Sequence, residues 1–128
     1  MIVVDASVLI AFLDSDDVHH RGAITALTAV RGEALILPAS AYAEVLVGPL
    51  RRGRDATQII DEALHDLSIE VAPLTREIAA RAARLRASQS GLRLPDALVL
   101  ATADGLGATV VLTADRAWQK INRRVRLI

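Results

Sequence analysis

Four carboxylates in this chain stand where acids are not expected. Asp5 is the only charged residue among the first thirteen, and it follows the apolar run Ile2-Val3-Val4. Glu44 is the sole charge between Ala34 and Leu50, and Asp96 the sole charge between Leu94 and Ala103. Asp115 follows Val110-Val111-Leu112. Acids held in apolar surroundings resist ionisation, and several gathered together repel one another. Arginine is the answer available within a protein, but the sequence reading expects none to neutralise these four. A hard divalent cation is the other answer, and oxygen-only ligands suit magnesium or manganese.

Ser7 and Thr113 each lie two residues from one of these acids, as Asp5-x-Ser7 and Thr113-x-Asp115. A hydroxyl so placed can orient the carboxylate or hold a metal-bound water; local turn capping is the alternative. Each acid also has a plain reading alone: a helix cap for Asp5 and Asp115, a helix-dipole partner for Asp96, an exposed helix face for Glu44. The hypothesis of one site rests on all four falling together.

The chain carries 15 acidic and 15 Lys or Arg residues. Setting the four aside leaves 11 acids against 15 basic residues, a net positive surface around one concentrated negative site. That distribution suits a metal-dependent enzyme acting on a phosphodiester, where the ion polarises the phosphate and lowers the pKa of the attacking water. Arg51, Arg52, Arg54 and Arg93 are candidate phosphate contacts, although solvated surface accounts for most of them as well. The three aromatics, Phe12, Tyr42 and Trp118, are too few for a base-stacking platform, and Trp118 is expected in the core.

Other chemistries lack their residues. The only histidines are His19, His20 and His65, two of them adjacent at a helix start, which leaves a histidine-based ribonuclease without material. A haloacid-dehalogenase-type phosphatase wants a second acid where Ser7 stands. A response-regulator receiver wants an acidic pair and a late lysine, and neither occurs.

The elements that must position these residues alternate. At 128 residues, 52% hydrophobic and 23% charged, the chain is expected to form a single domain over 1–128. It has no cysteine, no run long enough to span a membrane and no basic segment ahead of the first strand. An intracellular, cytoplasmic location without a signal peptide is therefore expected. Ile2–Val4, Ala34–Leu37, Ile69–Val71, Ala108–Leu112 and the terminal Val125–Ile128 read as strands. Between them, helices are expected at 6–13, 19–30, 39–47 (ended by Gly48-Pro49), 56–67, 75–90 and from Leu94, with a short one at Trp118. Short strands alternating with helices give an α/β fold with a largely parallel sheet. Two of the acids then fall at the carboxyl ends of strands, the rim where open α/β sheets bind ligands.

Asp5-x-Ser7 after the first strand, Glu44 on the third helix, Leu94-Pro95 with Asp96 opening a helix, and Thr113-x-Asp115 after a late strand together resemble a PIN domain. Chain size and the immediate start at strand one resemble most the VapC toxins of type II toxin–antitoxin systems. The resemblance covers essentially the whole chain. It implies a three-layer α/β/α domain with a central, mainly parallel sheet of four to five strands. It implies a Mg2+- or Mn2+-dependent endoribonuclease with RNA as substrate, a homodimer held inactive by a cognate VapB-type antitoxin. Carried over by position, the acids Asp5, Glu44, Asp96 and Asp115 are the catalytic and metal-binding set, with Ser7 and Thr113 supporting. Asp104, two turns along the helix from Asp96, reads as a surface residue. An RNA-processing PIN nuclease without an antitoxin, or an inactive RNA- or protein-binding module of the same fold, are the alternatives.

Overall fold

The computed structural model describes residues 1–53 and 55–128. In chain order the elements are β1 (Ile2–Val4), α1 (Ala6–Leu13), α2 (His20–Ala29), β2 (Leu35–Pro38), α3 (Ala39–Arg51), α4 (Ala56–Asp66), β3 (Ile69–Ala72), α5 (Arg76–Ser88), α6 (Leu94–Leu106), β4 (Val110–Thr113), a 3-10 turn (Arg116–Lys120) and β5 (Val125–Leu127). The strands form one sheet in the order β3-β2-β1-β4-β5, every pair parallel.

The strands are short because they are buried. All residues of β1, β2 and β4 are inaccessible, the pattern of a parallel sheet covered on both faces. Val3, Val4, Leu37 and Val111 are fully enclosed in this centre. The expected three-layer α/β/α arrangement is the one observed. Among the described residues no helix is long and apolar enough to cross a membrane.

Helix α6 is apolar on every side, and it is buried accordingly. Ala97, Val99, Leu100, Ala101, Thr102 and Ala103 are all inaccessible, and the Thr102 hydroxyl is satisfied by the Leu98 carbonyl at 2.8 Å. Helix α5 lies against it. Its start is capped as expected, with Thr75 Oγ1 accepting from the Ile78 amide at 3.2 Å. Ile78 and Ala82 face inward while Arg81, Arg84 and Arg86 face solvent.

Helix α3 departs from expectation twice. It does not stop at Gly48-Pro49 but runs on to Arg51 with Pro49 inside it. Proline removes one backbone hydrogen bond and crowds the carbonyl four residues back, a defect this helix absorbs in its last turn. It is also less buried than its composition suggests. Ala41 and Val45 are enclosed, but Ala43, Glu44, Val47 and Leu50 lie on an exposed face. Smaller differences are that Pro38 closes β2 inside the ladder, opposite Ala72, and that α5 ends at Ser88.

Candidate active site

The chain moves outward from β1 through β2 to β3, then returns across the sheet to β4 on the other side of β1. The order therefore reverses between β1 and β4, and the crevice at the carboxyl ends of that pair is where open α/β sheets bind ligands. Val4 pairs with Leu112, so the next residues, Asp5 and Thr113, emerge side by side, with the Asp5 amide donating to the Leu112 carbonyl at 2.9 Å.

Asp5 is buried, 7% exposed. Its Oδ2 accepts from Ser7 Oγ at 2.6 Å and from Thr113 Oγ1 at 2.9 Å. Ser7 Oγ in turn accepts from the Ala114 amide at 3.0 Å, and Thr113 Oγ1 from the Asp115 amide at 3.1 Å. Two hydroxyls thus fasten one carboxylate oxygen and lock the exit of β4 to the first turn of α1. Asp5 stands at the N-cap of α1 without a well-formed side-chain capping bond. Both hydroxyls bond the same oxygen, Oδ2, and no side chain among the described residues bonds Oδ1. Burial pushes the Asp5 carboxyl above its usual range, with the Ser7 and Thr113 hydroxyls and the nearby Ala6 and Ser7 amides opposing it.

Asp115 is exposed at the start of the 3-10 turn, where Oδ1 accepts from the Ala117 amide at 2.8 Å and Oδ2 is left over. Its capping role is real and uses one oxygen only. Glu44 projects from the exposed face of α3 with no hydrogen bond among the described residues. Partial burial raises its pKa, as do the charges of Asp5 and Asp96, while Arg93 lowers it. Asp5 and Asp96 therefore both lie within electrostatic reach of Glu44.

Asp96 corrects the expectation that no arginine answers these acids. Arg93 Nε lies 3.2 Å from Asp96 Oδ2, and Arg93 Nη2 donates to Oδ1 at 3.4 Å. The signal was present in the sequence: an arginine three residues before an acid at a helix start faces it across one turn. Arg93 is also within electrostatic reach of Glu44 and Asp115. Arg116 directly follows Asp115 yet forms no ion pair among the described residues.

The other arginines are dispersed. Arg51 is exposed at the end of α3. Arg52 lines a groove of about 380 Å³ with Ile10, Leu13, Glu44, Val45 and Ile60, so the groove opens onto the rim at Glu44. Arg54 lies outside the described residues. Asp104 is a surface ion-pair partner, its Oδ1 2.6 Å from Arg124 Nη1. Trp118 is buried as expected, 2% exposed.

The donor set fits a hard divalent cation. It is all carboxylate, the donor type such ions prefer, and Asp5, Glu44 and Asp115 each keep an oxygen that no side chain bonds among the described residues. Among the described residues no three acidic or histidine groups are drawn close enough to hold an ion as they stand.

The PIN domain family matches residues 2–124. A toxin–antitoxin complex from Klebsiella pneumoniae is similar at 28% identity and a TM-score of 0.78, covering 98% of this chain and 96% of that one. VapC20 of Mycobacterium tuberculosis, a sarcin–ricin loop cleaving toxin, is similar in fold at 20% identity and a TM-score of 0.77, over 95% of each chain. VapBC2 of Rickettsia felis, bound to promoter DNA, is similar in fold at 16% identity and a TM-score of 0.74, over 99% of this chain and 98% of that one. No curated protein matches. With its parallel sheet, its acid-bearing rim at the β1–β4 switch point and a match over nearly its whole length, the chain belongs to the PIN-domain family.

Proposed function

We propose that this chain is a Mg2+- or Mn2+-dependent endoribonuclease and the toxin of a type II toxin–antitoxin pair, acting as a homodimer and inhibited by a VapB-type antitoxin. The observation that carries the nuclease reading is Asp5. A buried carboxylate braced by two hydroxyls, on a rim with three further acids, is costly to folding and suited to a cation. Similarity to a toxin–antitoxin complex and to a VapC toxin supports the toxin reading.

In this reading Asp5, Asp96, Asp115 and Glu44 hold the cation. Bound there, it supplies neutralisation of the phosphate charge and a lowered pKa for the attacking water. The residues do the positioning. Ser7 and Thr113 fix the Asp5 carboxylate through Oδ2, which leaves Oδ1 for the cation in this reading, and the Asp115 cap fixes the next loop. The water oxygen attacks phosphorus in line, the bond to the 3′ oxygen breaks, and the proton ends on that oxygen. With water as nucleophile the products are a 5′-phosphate and a 3′-hydroxyl. In this reading Arg93, beside Asp96, and Arg52, which lines a groove with Glu44, meet the RNA backbone.

Purified protein incubated with structured RNA tests this, with Mg2+ or Mn2+, with chelator, and as Asp5→Asn. Cleavage should require the metal and Asp5; cleavage that persists in chelator or in the Asn variant refutes the mechanism.

A further inference from the structure

We propose that Arg93 is a resident counter-ion that competes with the divalent cation for Asp96, and so sets how readily the site loads. The inference rests on the reading that the rim takes such a cation. The guanidinium directs two donors at the two oxygens of Asp96, Nε to Oδ2 at 3.2 Å and Nη2 to Oδ1 at 3.4 Å. A cation cannot use those oxygens freely while the fork is in place.

The two partners differ in exposure. The Asp96 side chain is 16% exposed and fixed on the first turn of a buried helix. The Arg93 side chain is 76% exposed and reaches in from solvent, from the residue preceding that helix. An ion pair this open contributes little to stability, so the arm leaves at low cost when a doubly charged ion arrives. A guanidinium stays ionised at any working pH, so the competitor always carries its charge. Once displaced, the planar fork stays at the rim of a site built for phosphate, where its bidentate geometry fits a phosphate group. Arg93 would then exchange one anion for another as the site fills.

Calorimetric titration of Mn2+ into the RNA-free protein separates the possibilities. Arg93→Ala should bind Mn2+ roughly threefold to tenfold more tightly than the unmodified chain, the scale of a lost open ion pair plus relieved cation repulsion. Arg93→Lys, which keeps the charge without the fork, should fall between, and added salt should shrink the differences. At saturating Mn2+, Arg93→Ala should raise KM for RNA with kcat unchanged, and Arg93→Lys should restore part of it. If the unmodified chain binds Mn2+ and Arg93→Ala binds it equally or more weakly, the competition is refuted and the metal site stands. If neither binds Mn2+, both fall. If only the Ala variant binds, the competition is upheld in its strongest form. A KM unaffected by Arg93→Ala overturns the phosphate role.

Discussion

Thr113 Oγ1 donates to Asp5 Oδ2 across 2.9 Å, joining residues 108 positions apart in the chain. The bond exists because β1 and β4 are parallel neighbours in register, so their carboxyl ends place a hydroxyl against an acid. It is buried and its acceptor is ionisable, which makes it stronger than a neutral pair. Thr113→Val keeps the shape and removes the donor. The expected loss is about 1–3 kcal/mol of unfolding free energy, the range for leaving a buried polar group short of a partner. Divalent metal affinity should fall with it, because Asp5 loses half of its bracing. Urea melts with and without Mn2+ check both; a variant as stable as the parent would show that Ser7 alone suffices.

The acidic rim predicts an unusual pH dependence for the metal-free protein. Burial raises the Asp5 carboxyl above its ordinary 3.8, and burial with the charges of Asp5 and Asp96 raises Glu44 above its ordinary 4.5. A carboxyl whose folded pKa is raised binds more protons folded than unfolded, so its ionisation opposes folding. Its unfavourable contribution is absent below the unfolded value and grows as pH climbs through the folded one. Metal-free Asp5→Asn should therefore gain stability relative to the parent as pH rises from about 4 to 7. Chemical denaturation across that range reads it, and a difference that stays flat with pH contradicts the burial cost assigned to Asp5. Added Mn2+ should stabilise the parent and not the variant.

How much of this was legible follows from how far each signal reaches along the chain. Strand runs such as Val110-Val111-Leu112 and the all-apolar body of α6 are local, so the α/β class and nearly every element could be read directly. The four acids were legible because each breaks an apolar run. The bracing of one oxygen of Asp5 by both Ser7 and Thr113 was only half visible, since it depends on which strands neighbour each other. The burial of α3 is hard to read, because small and apolar residues look buried in sequence, while the fold leaves Val47 and Leu50 on an open face. Its extension past Pro49 was hidden because proline stops helices in general but is tolerated where only a final turn remains. Arg93 was noticed as a phosphate ligand and not as the partner of Asp96, although the three-residue spacing allowed it.

Two glycines should respond to alanine with opposite signs. At Gly22, on α2, an added Cβ would sit 2.8 Å from the backbone carbonyl carbon of Ile128, which no side-chain rotation relieves. Helix and chain segment must part, at an expected cost of about 1–3 kcal/mol. At Gly48, inside α3, the nearest atom is the flexible tip of Arg52 at 3.8 Å. There alanine should add about 0.5–1 kcal/mol through the lost conformational freedom of the unfolded chain. Thermal melts of the two variants decide it; a stabilised Gly22→Ala would mean that α2 and Ile128 are not packed as described.

Asp104 and Asp115 test whether position on the rim, rather than mere acidity, makes a site residue. Asp115 is exposed and Asp104 half-buried, and both already have a partner. Asp104 spends its charge on Arg124 at 2.6 Å, eleven residues before Asp115 in the chain and eight past Asp96. Asp115 spends one oxygen on the Ala117 amide and lies close enough to Arg93 to act on it. Asp104→Asn should cost at most about 1 kcal/mol, the scale of a surface ion pair, and leave Mn2+ affinity unchanged. Asp115→Asn keeps an oxygen for the cap, so its stability should be nearly that of the parent while Mn2+ affinity and RNA cleavage fall at least tenfold, about 1.4 kcal/mol in binding. Calorimetric titration of both variants makes the comparison. Equal losses at the two positions would mean that the cation follows overall negative charge, and the carboxylates at the switch point would then hold no specific site.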